Sequence, residues 1–450
     1  MSVTEERSAP PAPATRAGPS GWRARTAELA ELGRTTRVGQ LARAALVTLL
    51  VVLVAGVVTL VAVLRTQAAA ADVVERSGPL TASAQELYRA LSDADASAGQ
   101  GFLLGEAEPA SLRLRYQTDL AAAGSALAVV GSASDGGDAA AVTTLAQGVP
   151  VYAGLVETAR TADRQGLTYG AAYLREASSF LRTALLPAAQ QIYDVRSGEL
   201  ADAQAGADGG VWSVLALLAL VAALVAVWRL HRRIAHTTRR RLTPGVALAG
   251  GAVALLTVWG VLALGACALL TANARDAGTG PNRELVAARF AVLQSRSDEV
   301  LTLVARSTGG AYEQDYVRRS VGLYGWQGQL DRARAEVGDG PEAGDAAAAQ
   351  EAGRRGIVVH NLVRTLDVSG QYDLAVALAL GTAADAGQGS VEQVQDALDR
   401  AITGTAGTAA DAARTADATT TLLGVGTVVL VLVALGGVAA GVWPRLQEYR

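Results

Sequence analysis

The chain of 450 residues has no lysine, one cysteine and three histidines. The cysteine, Cys267, lies inside a long apolar run, so we expect no disulfide in the polar parts of the chain. Three histidines are too few for the usual metal site, and we find neither a glycine-rich phosphate loop nor a nucleophile elbow. We therefore expect no enzyme, no metal and no cofactor. We also expect no nucleic-acid partner.

Charged residues are also missing from four long apolar runs. These runs are residues 44–64, 211–228, 246–270 and 422–442. Each is close to the ~20 residues that an α-helix needs to cross about 30 Å of hydrocarbon, so we predict four transmembrane helices. Because ion and substrate paths usually contain ionisable residues within the membrane, their absence from these runs gives no support to a transporter.

Arginine predicts the orientation of these helices. Residues 1–43 carry seven arginines and four acidic residues, the short loop 229–245 carries six arginines and no acidic residue, and the tail 443–450 adds two arginines. An excess of basic residues in short loops marks the cytoplasmic side. We therefore predict a multi-pass protein of the cell membrane, with both termini in the cytoplasm and the blocks 65–210 and 271–421 outside.

The N-terminal segment 1–43 is predicted to have a disordered start and a juxtamembrane helix at residues 22–43. The alanines at 68–71 are similar to a signal-peptidase site. The apolar run before them, however, exceeds the ~7–15 residues of a signal-peptide core, so we expect a retained anchor. Because only eight residues follow position 442, we expect any output to pass to a separate partner.

Both outer blocks have the pattern of helices in a bundle. Apolar or small residues recur in steps of four and three, with Ser297 at one position of the second seam. The seam residues are Leu80, Ala84, Leu87, Leu91, Ala94 and Ala98 in the first block, and Val286, Phe290, Leu293, Val300 and Val304 in the second.

Three breaks divide each block into four helices. They lie at 105–109, 134–138 and 165–169 in the first block, and at 307–310, 338–345 and 369–372 in the second. We therefore predict an all-α fold in which two extracytoplasmic up-down four-helix bundles are continuous with the four spans.

A short motif indicates that one block duplicates the other. Tyr116 and Asp119 in the first block recur as Tyr312 and Asp315 in the second. Within each pair the spacing of three residues places both side chains on one helix face. They are candidates for ligand or partner binding, although a role in tying the bundle together is the simpler interpretation.

Two charged clusters on the first helices are further candidates for ligand or partner binding. They are Asp93 and Asp95 in the first block, and Arg296, Asp298 and Glu299 in the second. A bundle that binds a small polar ligand places such groups between its helices. The simpler interpretation is a solvated helix face.

The arginines of the central loop are explained by topology. A further role, in docking a cytosolic partner or anionic membrane lipid, is a second hypothesis. These residues are Arg229, Arg232, Arg233, Arg239, Arg240 and Arg241.

Two stretches resemble known families. Residues 91–105 read LSDADASAGQGFLLG and are similar to the first helix of chemoreceptor four-helix-bundle and CHASE3 sensor domains. Residues 296–306 and 312–315, which read RSDEVLTLVAR and YEQD, resemble the GlnX-like family of actinobacterial four-span membrane proteins. The composition has no lysine and is rich in Ala, Gly and Arg, which is typical of proteins from GC-rich genomes such as those of actinobacteria.

The GlnX-like resemblance implies a relay. In that family a glutamine-type solute-binding lipoprotein senses amino acids outside, the membrane protein carries the signal, and a soluble Ser/Thr kinase, protein kinase G, responds inside. The leading hypothesis is therefore a membrane signal-relay protein that senses amino acids directly or through the lipoprotein. The alternative is a structural scaffold of the envelope that does not switch. A homo-oligomer is also considered, and the oligomeric state is left open.

Overall fold

The computed structural model describes residues 37–105, 108–134, 136–207, 210–238, 244–325, 327–381 and 390–447. Every regular element in these ranges is a helix. The chain divides into two compact units. The first takes its described residues from Met1–Leu60, Val214–Trp259 and Val425–Arg450, and the second from Val61–Ser213 and Gly260–Gly424. Below, these two segments of the second unit are called its first half and its second half.

The described residues up to position 207 form six helices, and a wider π-type turn occurs twice among them. The turns are Val73–Ser77, between the first and second helices, and Leu181–Leu185, between the fifth and sixth. The helices are α1 (Arg37–Asp72), α2 (Gly78–Leu104), α3 (Ala110–Ser132), α4 (Ala139–Arg164), α5 (Gly170–Phe180) and α6 (Leu186–Ala207).

The rest of the chain repeats much of this order. A third π-type turn, Arg275–Thr279, precedes α9, and a short 3-10 turn, Arg306–Thr308, follows it. The helices are α7 (Gly210–Thr238), α8 (Pro244–Ala274), α9 (Gly280–Ala305), α10 (Gly310–Tyr324), α11 (Gln329–Val337), α12 (Ala343–Val368), α13 (Tyr372–Ala379) and α14 (Ser390–Gln447).

Helix ends coincide with the breaks predicted from glycine, proline and serine. α2 ends at Leu104 before the first predicted break, and α12 ends at Val368 before the last. One break was not predicted, because α10 ends at Tyr324 and α11 begins at Gln329. The second helix of the second block is therefore divided in two. The predicted disordered start and most of the juxtamembrane helix lie outside the described residues.

Five helical stretches of the described chain are long and apolar enough to cross a membrane. Four of them contain the predicted spans and have mean hydropathies between 2.4 and 3.0. The fifth is α4, whose mean hydropathy is 1.4. Its residues Leu145, Tyr152 and Val156 are fully buried in the core of the second unit. These stretches support a multi-pass membrane protein.

Small residues bring two helices of the first unit into backbone contact. A Cβ atom added to Gly245 of α8 would lie 2.6 Å from the amide nitrogen of Gly441 and 2.7 Å from the carbonyl oxygen of Gly437, both in α14. Such close approach is available only to glycine, and it is a usual packing mode of membrane helices. Around it, Val52, Leu220 and similar residues form the apolar core of this unit.

One continuous apolar core joins both halves of the second unit. α2 and α9 lie against each other in this core, and Tyr88 of α2 stacks on Phe290 of α9 with ring centroids 3.7 Å apart. Further along, a Cβ on Gly99 would lie 2.5 Å from Cγ1 of Val300. Residue numbers therefore rise together in both helices, so α2 and α9 run parallel and in register.

A shift of 202 positions relates the first turn and α2 of the first half to the first turn and α9 of the second. It carries the π-type turn at Val73–Ser77 onto the turn at Arg275–Thr279. In each half a Gly-Pro pair follows, with Pro79 and Pro281 as the prolines. Proline lacks an N–H and its ring clashes with the carbonyl group four residues earlier, so a wider turn relieves the helix at this point. This shared backbone supports a duplication.

The motif that first indicated the repeat was aligned one helical turn too early. Tyr116 lies under the guanidinium of Arg160 at 4.3 Å, and Tyr316 stacks on the ring of His360 at 3.5 Å. Both tyrosines are buried, and both stacking partners lie 44 positions further along the chain. The counterpart of Tyr116 is therefore Tyr316 rather than Tyr312.

Candidate functional site

Asp95 of α2 gathers hydroxyl groups from three other helices. Its carboxylate accepts hydrogen bonds from Ser297 of α9 at 2.6 Å, Ser178 of α5 at 2.7 Å and Tyr152 of α4 at 3.2 Å. Asp95 is only 3% exposed. Burial raises the pKa of this carboxyl, and the three hydroxyl donors and Arg182 oppose the rise. One buried carboxylate thus links the two halves.

Asp298 of α9 forms a second link next to the first. It is fully buried and accepts hydrogen bonds from two arginines. Arg182, from the π-type turn of the first half, binds Oδ1, and Nε of Arg319 in α10 donates to Oδ2 at 2.8 Å. A buried charge is tolerated only when it is paired and hydrogen-bonded, so these arginines are required by Asp298.

The hydrogen bonds continue from Arg319 back to the first half. Arg319 donates to Oε1 of Gln294, and Nε2 of Gln294 donates to the hydroxyl of Tyr88. Burial raises the pKa of Tyr88 to about 12, which keeps this phenol protonated. The complete set is called the interhelical network below and consists of Tyr88, Asp95, Tyr152, Ser178, Arg182, Gln294, Ser297, Asp298 and Arg319.

The predicted residues Tyr312 and Asp315 lie at the edge of this network. The guanidinium of Arg182 lies 5.5 Å from the Tyr312 ring and 3.7 Å from a carboxylate oxygen of Asp315. Asp315 also pairs with the exposed Arg318 at 2.8 Å. Arg182 of the first half is therefore surrounded by acidic and aromatic groups of the second half.

A separate acidic pair in the first half shares one arginine. Arg89 lies 2.6 Å from the carboxylate of Asp93 and 4.0 Å from that of Asp119. Both aspartates are buried. Burial, and next the nearby charge of Asp93, raise the pKa of Asp119 from its ordinary value of 3.8 to about 6. This pair lies within one half and does not join the interhelical network.

Tyr116 has a packing role beside that pair. Its ring is buried under Arg160, which is itself buried and pairs with Glu108 at 3.3 Å and Glu157 at 3.0 Å. Tyr116 and Asp119 are both buried on α3, as their spacing predicts. The structure thus favours the interpretation that this motif ties the bundle together.

Arg296 and Glu299, the other predicted residues of α9, line a cavity of ≈ 310 Å³ in the second unit. Gln100 of α2, Tyr316 of α10 and Glu392 of α14 also contribute to its wall. Arg296 is only 7% exposed, and burial lowers the pKa of its guanidinium. The cavity therefore presents one cation and two carboxylates to any molecule inside it.

His360 supports the wall of this cavity. Its Nδ1 lies 2.8 Å from Glu299, its Nε2 lies 3.3 Å from Glu313, and its ring stacks on Tyr316. Arg364 pairs with the other oxygen of Glu313 at 3.0 Å. Within the described ranges, no group of three or more His, Cys, Asp or Glu residues is arranged to hold a metal ion.

In the first unit, the described loop arginines lie on the exposed side of α7. This helix continues past the predicted span to Thr238. Leu230 and Ile234, between the arginines in sequence, pack into the core of that unit. The exposed residues are Arg229, Arg232 and Arg233, whereas the other predicted docking residues, Arg239, Arg240 and Arg241, lie outside the described residues.

The interpretation of the acidic clusters as solvated helix faces is wrong for Asp93, Asp95 and Asp298, which are all buried. Sequence reasoning also missed Arg182, the residue that joins the halves most directly. A signal was present, because Arg182 is the only charged residue between Glu176 and Asp194. An isolated charge in an apolar helix needs a partner from another element.

Comparison with known proteins bears on the first half. Residues 69–205 match the family described as an actinobacterial sensor domain. The matched sensor domain runs from the end of α1 into α6 and contains every residue that the first half contributes to the interhelical network. No curated protein and no solved structure matches the chain. The sensor-domain match supports a sensing or signalling role in an actinobacterial protein.

Proposed function

We propose that this protein is a membrane signal relay that senses amino-acid availability outside the cell and transmits it to a cytosolic partner. The observation that carries the proposal is the position of Asp95 inside the matched sensor domain. Its carboxylate is held by hydroxyls from both halves of the second unit. A rearrangement of α2 in the sensor domain therefore has to break or reform contacts with α9.

The connectivity of the helices offers a route for such a change. α1 and α14 each contribute residues to both compact units, and α2 follows α1 through a single π-type turn. A displacement of α2 is thus connected through the backbone to an apolar segment. In thermodynamic terms, the external signal must bind one arrangement better than another, since only a difference in affinity shifts a population.

The finer parts of the proposal rest on the sequence. The arginine-rich segments favour four spans with both outer blocks on the external side. The GlnX-like resemblance favours an extracytoplasmic solute-binding lipoprotein as one source of the signal and a Ser/Thr kinase as its receiver. Arg229, Arg232 and Arg233 are accessible positions for such a receiver or for anionic lipid. The proposed role is non-enzymatic.

Two cysteine pairs test whether the helices move. A Cβ on Gly206 of α6 would lie 3.4 Å from Cβ of Ala69 in α1, and a Cβ on Gly278 would lie 3.0 Å from Cβ of Ala409 in α14. The first distance lies at the lower limit of the ~3.5–4.5 Å of a disulfide. The second is shorter, so the second pair requires α14 to move away slightly from Gly278. The native Cys267 is replaced by alanine first, so that each variant contains only the designed pair.

The rate of disulfide formation is then measured in native membranes with and without added amino acids. A relay predicts a several-fold change for at least one pair, whereas a scaffold that does not switch predicts equal rates for both. Single-cysteine variants control for intermolecular disulfides.

In a second experiment, residues 66–209 are deleted and the cytosolic phosphorylation response to amino acids is recorded. An unchanged response after this deletion would refute the relay.

A further inference from the structure

Arg296 lines the ≈ 310 Å³ cavity of the second unit and has no acceptor closer than 3.5 Å among the described residues. Among the described residues, the contacts of this guanidinium are Oε1 of Gln395 at 3.5 Å and a carboxylate oxygen of Glu392 at 3.9 Å. By contrast Arg289, two turns earlier in α9, lies 2.9 Å from Asp399. A buried guanidinium loses its hydration and needs short hydrogen bonds to carboxylate or carbonyl oxygens. Arg296 therefore has the chemistry of an anion site.

A second group near Arg296 is also unsatisfied. Nε2 of Gln395 is buried and has no hydrogen-bond partner among the described residues. Unpaired buried donors are uncommon in folded proteins and each calls for an explanation. This amide adjoins the guanidinium through Oε1 but is not among the residues that line the cavity, so it shows only that the polar groups around Arg296 are incompletely paired.

The remaining charges of the wall select the kind of anion. Glu299 and Glu392 line the same cavity, and one oxygen of Glu299 is already engaged by His360. A plain anion bound to Arg296 would also face these two carboxylates, of which Glu392 lies 3.9 Å from Arg115 as well. A molecule with an ammonium group beside its carboxylate would pair with both the arginine and the glutamates of the wall.

The volume of the cavity and the apolar part of its wall are suited to a small molecule. The volume of ≈ 310 Å³ lies near the lower end of the range for ligand pockets. Val300, Val359 and Leu378 provide an apolar surface beside the charged groups. A side chain of modest size can pack there while its polar end contacts Arg296.

We propose that this cavity binds a free α-amino acid directly, with the carboxylate on Arg296 and the ammonium group between Glu299 and Glu392. The proposal rests on the proposed sensing function and specifies its direct form. Arg296 acts as the anchor for the carboxylate, and the two glutamates reject carboxylic acids that carry no amine.

The test uses the purified full-length protein in nanodiscs and titration calorimetry with the individual L-amino acids. At least one amino acid is expected to bind. Its carboxamide and its des-amino analogue are expected to bind at least about tenfold more weakly, since each lacks one of the two charges. Equal affinity for the des-amino acid would overturn the zwitterion assignment, and the absence of binding by every amino acid would overturn the site.

Matched variants locate the site. Arg296→Gln is expected to weaken binding about tenfold to hundredfold, whereas Arg289→Gln, on the same helix but outside the cavity, leaves the affinity unchanged. Glu392→Gln is expected to weaken binding of the amino acid and to leave the des-amino acid unaffected or bound more tightly. Glu351→Gln on α12 is its exposed control.

Folding is checked separately, by thermal unfolding of each variant. If Arg296→Gln does not fold, Glu392→Gln decides the question because its side chain is largely exposed. Wild-type affinity in a folded Arg296→Gln or Glu392→Gln variant would contradict the proposal. If no amino acid binds while the disulfide rates still respond in membranes, only this inference fails. If an amino acid binds but neither the disulfide rates nor the cytosolic phosphorylation changes, the proposed relay fails and the binding site stands.

Discussion

Ser297 donates a 2.6 Å hydrogen bond to Asp95, and the two residues are separated by the same 202 positions that relate α2 to α9. The contact therefore joins equivalent positions of a duplicated helix. Two aspartates facing each other here would repel, and two serines would leave Ser178 and Tyr152 without a charged acceptor. One aspartate opposite one serine satisfies all four groups, so the halves have diverged at the position where they meet.

A double-mutant cycle tests this pairing. Asp95→Asn and Ser297→Ala are each expected to destabilise the protein, by about 1–3 kcal/mol and about 1 kcal/mol respectively, because hydrogen bonds to a buried carboxylate are lost. The coupling free energy between the two changes is expected to be about 1–2 kcal/mol. It is measured by chemical unfolding of the full-length protein in detergent. Strictly additive effects would show that the bond contributes nothing to stability.

The pH dependence of stability should carry a contribution from Asp119. Its pKa of about 6 in the folded state lies above its ordinary value of 3.8, so the folded protein binds this proton more tightly. The stabilisation is present below pH ~4 and is lost as the pH rises towards 6. Asp119→Asn should therefore gain about 1 kcal/mol relative to the wild type between pH 4 and pH 7, a value reduced for screening by water.

Unfolding at the two pH values measures this gain directly. Asp411→Asn, at an exposed position of α14, controls for the removal of one negative charge. A gain of the same size in the control would mean that net charge, and not the environment of Asp119 beside Asp93, determines the effect.

Local sequence signals were sufficient for the helices because glycine and proline act within a few residues. Gly105 has φ +54° directly after α2, which is a backbone conformation that favours glycine, and the predicted break lies there. The division between α10 and α11 was missed although Gly325 and Gly328 flank it, since the surrounding residues keep an apolar pattern.

The interhelical network could not be predicted in the same way. A heptad stripe identifies the apolar face of a helix, but it does not say which helix packs against that face, and in α9 the stripe residues Phe290 and Ser297 contact α2 of the other half. Asp95 and Asp298 lie outside the stripe, and for this reason the sequence predicts that they are solvated. The one-turn error at Tyr312 has a similar origin, because a helix presents the same face again after about four residues.

Arg306 should be a strained position that glycine relieves. It follows α9 with φ 47° and ψ −124°, and Gly105 follows α2 with φ 54° and ψ −123°. Of these two residues only Arg306 has a side chain, and a side chain is strained at this positive φ. Arg306 also lies 4.0 Å above the ring of Tyr372, and this contact would be lost with the side chain.

Two substitutions separate these effects. Arg306→Gly and Arg306→Ala both remove the contact with Tyr372, but only glycine relieves the backbone. Arg306→Gly is expected to be more stable than Arg306→Ala by about 1–2 kcal/mol, measured as free energies of unfolding in detergent. If alanine were equally stable, the strain at this residue would be negligible.

The helix crossing in the first unit gives a prediction in which neighbouring glycines respond with opposite signs. A Cβ on Gly437 would lie 2.7 Å from the carbonyl oxygen of Gly245, whereas a Cβ on Gly436 would meet nothing within 4 Å. Gly437→Ala should therefore force α8 and α14 apart and cost about 1–3 kcal/mol. Gly436→Ala should stabilise the protein by up to about 1 kcal/mol through its higher helix propensity. Thermal unfolding of both variants in lipid nanodiscs checks the pair, and a stabilising Gly437→Ala would show that α8 and α14 do not cross at these glycines.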